Sequence, residues 1–162
     1  MTGKITDNLG RSSGLVKAVS GGGGKNLQVV GDTHETEVSH TSTSYTDSGI
    51  SVAITPTAST SKIYIVASAG CYNEDGYVWW MTIFRDSTDL DPGAPGESGL
   101  INVNSQSKNK NKGNTLTWLD SPSSTSEITY SWRVKSQTSG RRLDTCAGAS
   151  RASITAFEID GS

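Results

Sequence analysis

Residues 127–135 read EITYSWRVK, and this stretch decides the fold. Ile128, Tyr130, Trp132 and Val134 fall on one side of an extended chain; Glu127, Thr129, Ser131, Arg133 and Lys135 fall on the other. All nine positions obey the alternation. Because successive side chains of a strand point to opposite faces, this period of two predicts a strand with one face in a core and the other in water.

The same rhythm recurs on both sides of it. Upstream, Asn26–Val30 begins a strand, and Ile50, Val52 and Ile54 form another that Pro56 ends. Lys62–Cys71 (KIYIVASAGC) is apolar enough for a central strand, with small residues at its far end. Leu116 and Trp118 mark a shorter strand closing at Asp120-Ser-Pro, and Ala152, Ile154 and Ala156 mark a last one that stops at Asp160-Gly-Ser. Tyr77–Arg85 (YVWWMTIFR) departs from the pattern, being apolar on both faces. An antiparallel sheet normally leaves one face wet, so this strand is expected to be covered by the core on one side and by a neighbouring subunit on the other.

Turn-forming clusters separate these runs at 57–61, 73–76, 121–126 and 139–140. No ten-residue stretch shows a helical period free of Gly, Pro or β-branched runs. The expected fold is all-β: an antiparallel β-sandwich of jelly-roll type, preceded by an extended arm. Asp86–Gly113 interrupts the rhythm as a 28-residue insertion. It is rich in Asp, Pro and Gly and then in Asn and Lys, with a short strand expected at 99–103. Long loops in compact domains are commonly functional, so an outward-facing variable surface is expected here.

Length and composition agree. The 162 residues suit one domain plus an arm, and 33% hydrophobic residues with 18 Gly favour short strands over helices. The formal charge of −2 does not point to a nucleic-acid or anionic-membrane partner, and no apolar run is long enough to span a bilayer. The charge is nevertheless uneven. Residues 1–27 carry Lys4, Arg11, Lys17 and Lys25 against Asp7, and Gly21–Gly24 then form a hinge. Residues 1–25 thus read as a basic, glycine-rich arm that buries too little apolar surface to order itself without a partner, and residues 26–162 as the folded domain. The opening lacks the apolar segment of a secretory signal, so export by that route is not expected, and release by lysis inside a particle is consistent with it.

Catalytic and metal signatures are thin. His34 and His40 flank Glu35 and Glu37, but no second cluster completes a coordination sphere, and solvated polar residues are expected. Asp86, Asp89 and Asp91 resemble a calcium loop without its central Gly and closing Glu. Glu74 and Asp75 are adjacent on a turn and point apart, unlike paired glycosidase carboxyls. The tetraglycine lacks a following Lys-Ser/Thr, so it is no phosphate loop. No catalytic residue, cofactor or metal is expected. Cys71 and Cys146 read as small buried hydrophobes, with a disulfide, within or between chains, as the alternative. Lys108, Lys110 and Lys112 alternate with Asn. They read either as a contact for an anionic host polysaccharide or lipopolysaccharide, or as a solvated loop or lysine-guarded edge strand. The aromatic set Tyr77, Trp79, Trp80, Trp118, Tyr130 and Trp132 reads as packing, with sugar stacking as the rival.

Several stretches together carry a family resemblance: TGKITDNLGRSSGLVKA at 2–18 with the glycine hinge and LQVV, HTSTSYTDSGISVAITPTASTSKIYIVAS at 40–68, WLDSPSSTSEITYSWRVKS at 118–136, and GASRASITAFEID at 148–160. Over nearly its whole length the chain resembles small tail-fibre-type structural proteins of tailed bacteriophages, of the kind found in phages of aquatic bacteria such as cyanobacteria. The DPGAPG loop at 91–96 and KNKNK at 108–112 depart from the commonest pattern. The resemblance implies a non-enzymatic virion protein, a homotrimer made in the host cytoplasm. Its arm, through Lys4, Ile5, Arg11, Leu15, Val16 and Lys17, would dock to a tail or baseplate protein. The threefold contact is expected to use Trp79, Trp80 and Ile83. A head-decoration protein of the same fold is the first rival, a carbohydrate-binding module the second, and a tailspike hydrolase the third.

Overall fold

The computed structural model describes residues 25–74, 77–91, 99–104 and 110–161. Within them, eleven strands follow in chain order: β1 (Asn26–His34), β2 (Val38–His40), β3 (Thr46–Ile54), β4 (Lys62–Asn73), β5 (Val78–Arg85), β6 (Thr88–Asp89), β7 (Ile101–Asn104), β8 (Lys110–Asp120), β9 (Ile128–Ser136), β10 (Leu143–Thr145) and β11 (Ala152–Ile159). A 3-10 turn, Ala147–Ala149, separates β10 from β11. All these pairings are antiparallel.

Three pairs of strands are interrupted versions of one. β10 and β11 lie end to end along β4, β1 and β2 lie end to end along them, and β6 and β7 share one edge of β5. The first sheet therefore runs β1/β2, β11/β10, β4, β8, and the second runs β3, β9, β5, β6/β7. Joining each interrupted pair turns these orders into 1-8-3-6 and 2-7-4-5. That is the double Greek key of a jelly roll, as the alternation predicts.

The core lies between the sheets. The second sheet contributes Trp79, Met81, Ile83, Tyr130, Trp132 and Val134, all fully buried. Facing them, the first sheet offers Ile63, Ile65 and Ile154 interspersed with Ala67, Ala69, Ala152 and Ala156. Small residues on one sheet make room for indoles on the other, so the two sheets pack closely.

Two sequence expectations need correction. First, β5 is covered on both faces by its own chain. Trp79 and Ile83 have no exposed surface and belong to the core. Trp80, on the opposite face, is 6% exposed beneath Lys135, whose Nζ lies 5.3 Å from the ring centroid. On the same face Phe84 lies under the Arg133 guanidinium at 4.4 Å and packs edge-on against Tyr45 at 5.5 Å. Thr82, between them, donates to Asp89 at 2.9 Å. Long cationic stems from β9 thus roof the outer aromatics. Trp79, Trp80 and Ile83 are not available to a neighbouring subunit.

Second, the segment 86–113 holds more strand than the short one expected at 99–103, which is β7. β6 and β7 lie within it, and β8 begins at Lys110 and pairs with β4 from Asn73↔Lys110 to Ile63↔Asp120. The strand is hidden in the sequence because it pairs only along β4 and its first half sets Asn114 and the exposed Lys112 beside the core residues Ala69 and Cys71, so it carries no apolar alternation.

Truncating Trp132 to Ala opens a large cavity in this core. We expect a loss of about 3–5 kcal/mol in urea unfolding, whereas Thr129→Ala on the exposed side of the same strand changes stability by less than about 0.5 kcal/mol.

Candidate functional site

The outer face of the first sheet has an unusual composition. Reading the register across β1, β11, β4 and β8 gives three complete rows: Val29–Phe157–Tyr64–Leu119, Gly31–Thr155–Val66–Thr117, and Thr33–Ser153–Ser68–Thr115. None of these twelve positions is charged, although the chain carries 14 basic and 16 acidic residues. The first row is apolar throughout and open to solvent, with Val29 51%, Tyr64 37% and Leu119 50% exposed. The Tyr64 and Phe157 rings sit 6.2 Å apart. Leu27, at a bulge in β1, adds another exposed aliphatic side chain.

What fixes this face outward is a carboxylate on the other side of β11. Glu158 is fully buried and accepts from Gln28 Nε2 at 2.6 Å, Ser61 Oγ at 2.6 Å, and the Thr57 amide and hydroxyl at 2.7 Å each. Burial by itself would raise its pKa; the donors outweigh that and hold the carboxyl at about 2. In the same inward row, Asp120 at the end of β8 accepts from Arg85 at 3.0 Å and from the Tyr130 hydroxyl at 2.7 Å, joining the two sheets. Burial and this acceptor keep the Tyr130 phenol protonated.

At the opposite end of the outer face, the 3-10 turn borders a shallow groove lined by Gly70, Lys112, Gly113 and Gly148, which continues past Tyr72 and Arg142. Arg142 bridges Asp144 at 2.8 Å, Glu37 at 3.5 Å and Glu74 at 3.6 Å. Asp144, nearly buried, also accepts from Ser39 at 2.6 Å. These carboxylates are tied to a cation, and no group of metal-ligating side chains occurs among the described residues.

The remaining candidates separate clearly. Lys112 is exposed on β8, Lys110 opens that strand, and Lys108 lies outside the described residues. The arm positions Lys4, Ile5, Arg11, Leu15, Val16 and Lys17 lie outside them too. Asp86 and Asp89 serve their hairpin: Asp86 accepts from the Thr129 amide at 3.0 Å, and Asp89 from Thr82 and from the Asp91 amide. Cys71 and Cys146 are free, buried thiols. Burial pushes Cys71 up to about 12 and raises Cys146 as well, so neither supplies a thiolate near neutral pH. His40 is not solvated as expected. It is 3% exposed, with its ring nitrogens 2.9 Å from Thr46 Oγ1 and 3.2 Å from Thr145 Oγ1. Burial, opposed by Asp144 and Asp47, lowers its pKa to about 4.

Two pH windows follow. A neutral buried His40 stabilises the fold above its unfolded pKa of about 6.5, and that contribution is lost as pH falls from there towards about 4. The ionised Glu158 stabilises above its unfolded value, and its contribution is lost between about 4.5 and about 2. Each contributes up to about 3 kcal/mol, because a tenfold change in proton affinity between the folded and unfolded chain is worth roughly 1.4 kcal/mol. Urea unfolding across pH 7 to 2 should show both slopes. His40→Gln should remove only the first and Glu158→Gln only the second. Thiol labelling should be slow for both cysteines in the native chain and complete once it is unfolded.

No family model matches the chain, and no curated protein matches it in sequence.

Proposed function

We propose that the chain is a structural subunit of a phage virion: a short homotrimeric tail fibre. Residues 1–25 attach it to a tail or baseplate protein, and the jelly roll presents loops to a host-surface polysaccharide or lipopolysaccharide. It acts without catalysis, as an assembly and attachment component of the extracellular particle.

The observation that carries this reading is what the buried polar groups do. Glu158, Asp120, Asp144 and His40 are each engaged in hydrogen bonds that tie one strand to another or to a turn. In an enzyme, catalytic side chains converge on a cleft where substrate reaches them. Here Glu158 and Asp120 lie at one end of the sandwich and His40 and Asp144 at the other, and Asp144, which borders the groove, is held by Arg142 and Ser39, which suits a rigid module whose role is mechanical. The resemblance of residues 2–18, 40–68, 118–136 and 148–160 to tail-fibre-type proteins supplies the biological setting. Three linked copies would also let weak single-site contacts with a glycan add up to useful avidity.

Quantitative mass spectrometry of purified virions tests the proposal. A low copy number matching the baseplate components supports a tail fibre. A copy number matching the major capsid protein would reassign the chain to head decoration, and absence from particles would overturn a virion role.

A further inference from the structure

From the uncharged outer face of the β1–β11–β4–β8 sheet, we infer that this face is the surface on which copies of the chain assemble with one another. The inference rests on the reading of the chain as a self-assembling structural subunit, and it deepens that reading by naming the interface.

The two outer faces of the sandwich treat their apolar side chains differently. On the second sheet, Arg133 and Lys135 lie across Phe84, Tyr45 and Trp80 and take them out of water. On the first, Val29, Tyr64 and Leu119 stay open. No cation or carboxylate occurs in the twelve-position field that could roof them in the same way.

Charge returns only at the margin. Lys62 stands exposed at the start of β4, Arg151 pairs with Glu35 at 2.9 Å beyond the third row, and Lys112 and Arg142 border the groove. An uncharged centre with aromatic and aliphatic side chains, ringed by charge, is the anatomy of a protein–protein interface. Strand spacing of about 4.8 Å and a rise of about 3.4 Å per residue give this field roughly 300 Å² in projection. A stable interface buries about 800 Å² per partner, so the field is the centre of a contact that the rim completes.

The absence of charge also selects the partner. A dissimilar protein is commonly recognised through complementary charge, which this field does not offer. In a face-to-face contact between two identical copies, charges near the symmetry axis would meet their like. An uncharged field of Thr, Ser, Gly, Val, Leu, Phe and Tyr is compatible with itself in any register.

The test is the solution mass of the full chain by light scattering, at concentrations where a micromolar self-affinity would be saturated. Thr117→Arg and Ser68→Arg each place a charge inside the field at an exposed position, and Thr129→Arg places one on the other sheet. Leu119→Ser is a milder variant that adds no charge. We expect an oligomer for the wild type and for Thr129→Arg, but a 17.1 kDa monomer for both field variants with unchanged circular dichroism. For Leu119→Ser we expect self-affinity weakened by about tenfold. Field variants that keep the wild-type mass overturn the interface while leaving a homotrimeric fibre standing. A wild-type dimer broken by the field variants supports the interface and overturns the trimer. A wild-type monomer overturns the inference and turns attention to residues 1–24 or a different protein as the cover; the virion copy number then still decides the fibre reading.

Discussion

The Glu158 carboxylate is the constraint on which the rest of the sandwich depends. It has no exposed surface, yet its donors hold it ionised far below the ordinary range of a glutamate. A buried charge is tolerable only when fully hydrogen-bonded. These donors come from the edge strand β1 through Gln28 and from the turn between β3 and β4 through Thr57 and Ser61. One side chain on the last strand therefore aligns the first strand and anchors a crossing between the sheets. Register follows from this. A slip of one residue would expose Ala156 and bury Phe157, and it would pull the carboxylate away from its donors. The outer rows that begin at Val29, Gly31 and Thr33 exist in their order because that slip is prohibited.

Charge is distributed over the molecule in a consistent way. At one end of the sandwich Glu158 and Asp120 occupy the same inward row, Glu158 satisfied by neutral amides and hydroxyls and Asp120 by Arg85 and the Tyr130 hydroxyl. At the other end His40, Thr145 and Asp144 join β2 and β10 to their neighbours. Between them the core is apolar. The polar fastenings lie where strands end and backbone pairing is weakest, so they close the open ends of a structure whose middle is held by Trp79, Trp132 and the facing alanines. Outside, cationic stems cover the aromatics of one sheet, while the other keeps an uncharged field.

Much of the fold was legible because a strand's side-chain period is short and local. Ile128–Val134 and Ile50–Ile54 each needed only their own residues to be read. The double-sided apolar character of Tyr77–Arg85 was equally visible, but its cause was not. The cover over Trp80 and Phe84 comes from Arg133, Lys135 and Tyr45, between 39 and 55 positions away in the chain. Their side chains gave no local sign of lying over rings. β8 was only half legible, because Lys110–Asn114 lies along the outer edge of β4 and carries no apolar alternation. The site was read less well than the fold. His40 looked solvated in a polar segment, although its burial is produced by β10, more than a hundred residues later.

What the sequence determined by itself was most of the long strands and their inward faces, since these depend on neighbours two residues apart. It also determined that Tyr64, Val66 and Ser68, or Thr115, Thr117 and Leu119, lack charge. Only the tertiary structure decided that these separate uncharged triplets lie side by side. Register between strands distant in the chain is set by the buried Glu158 cluster and by core packing, which no local pattern contains. The same long-range closure decided which apolar side chains the chain covers for itself and which it leaves exposed.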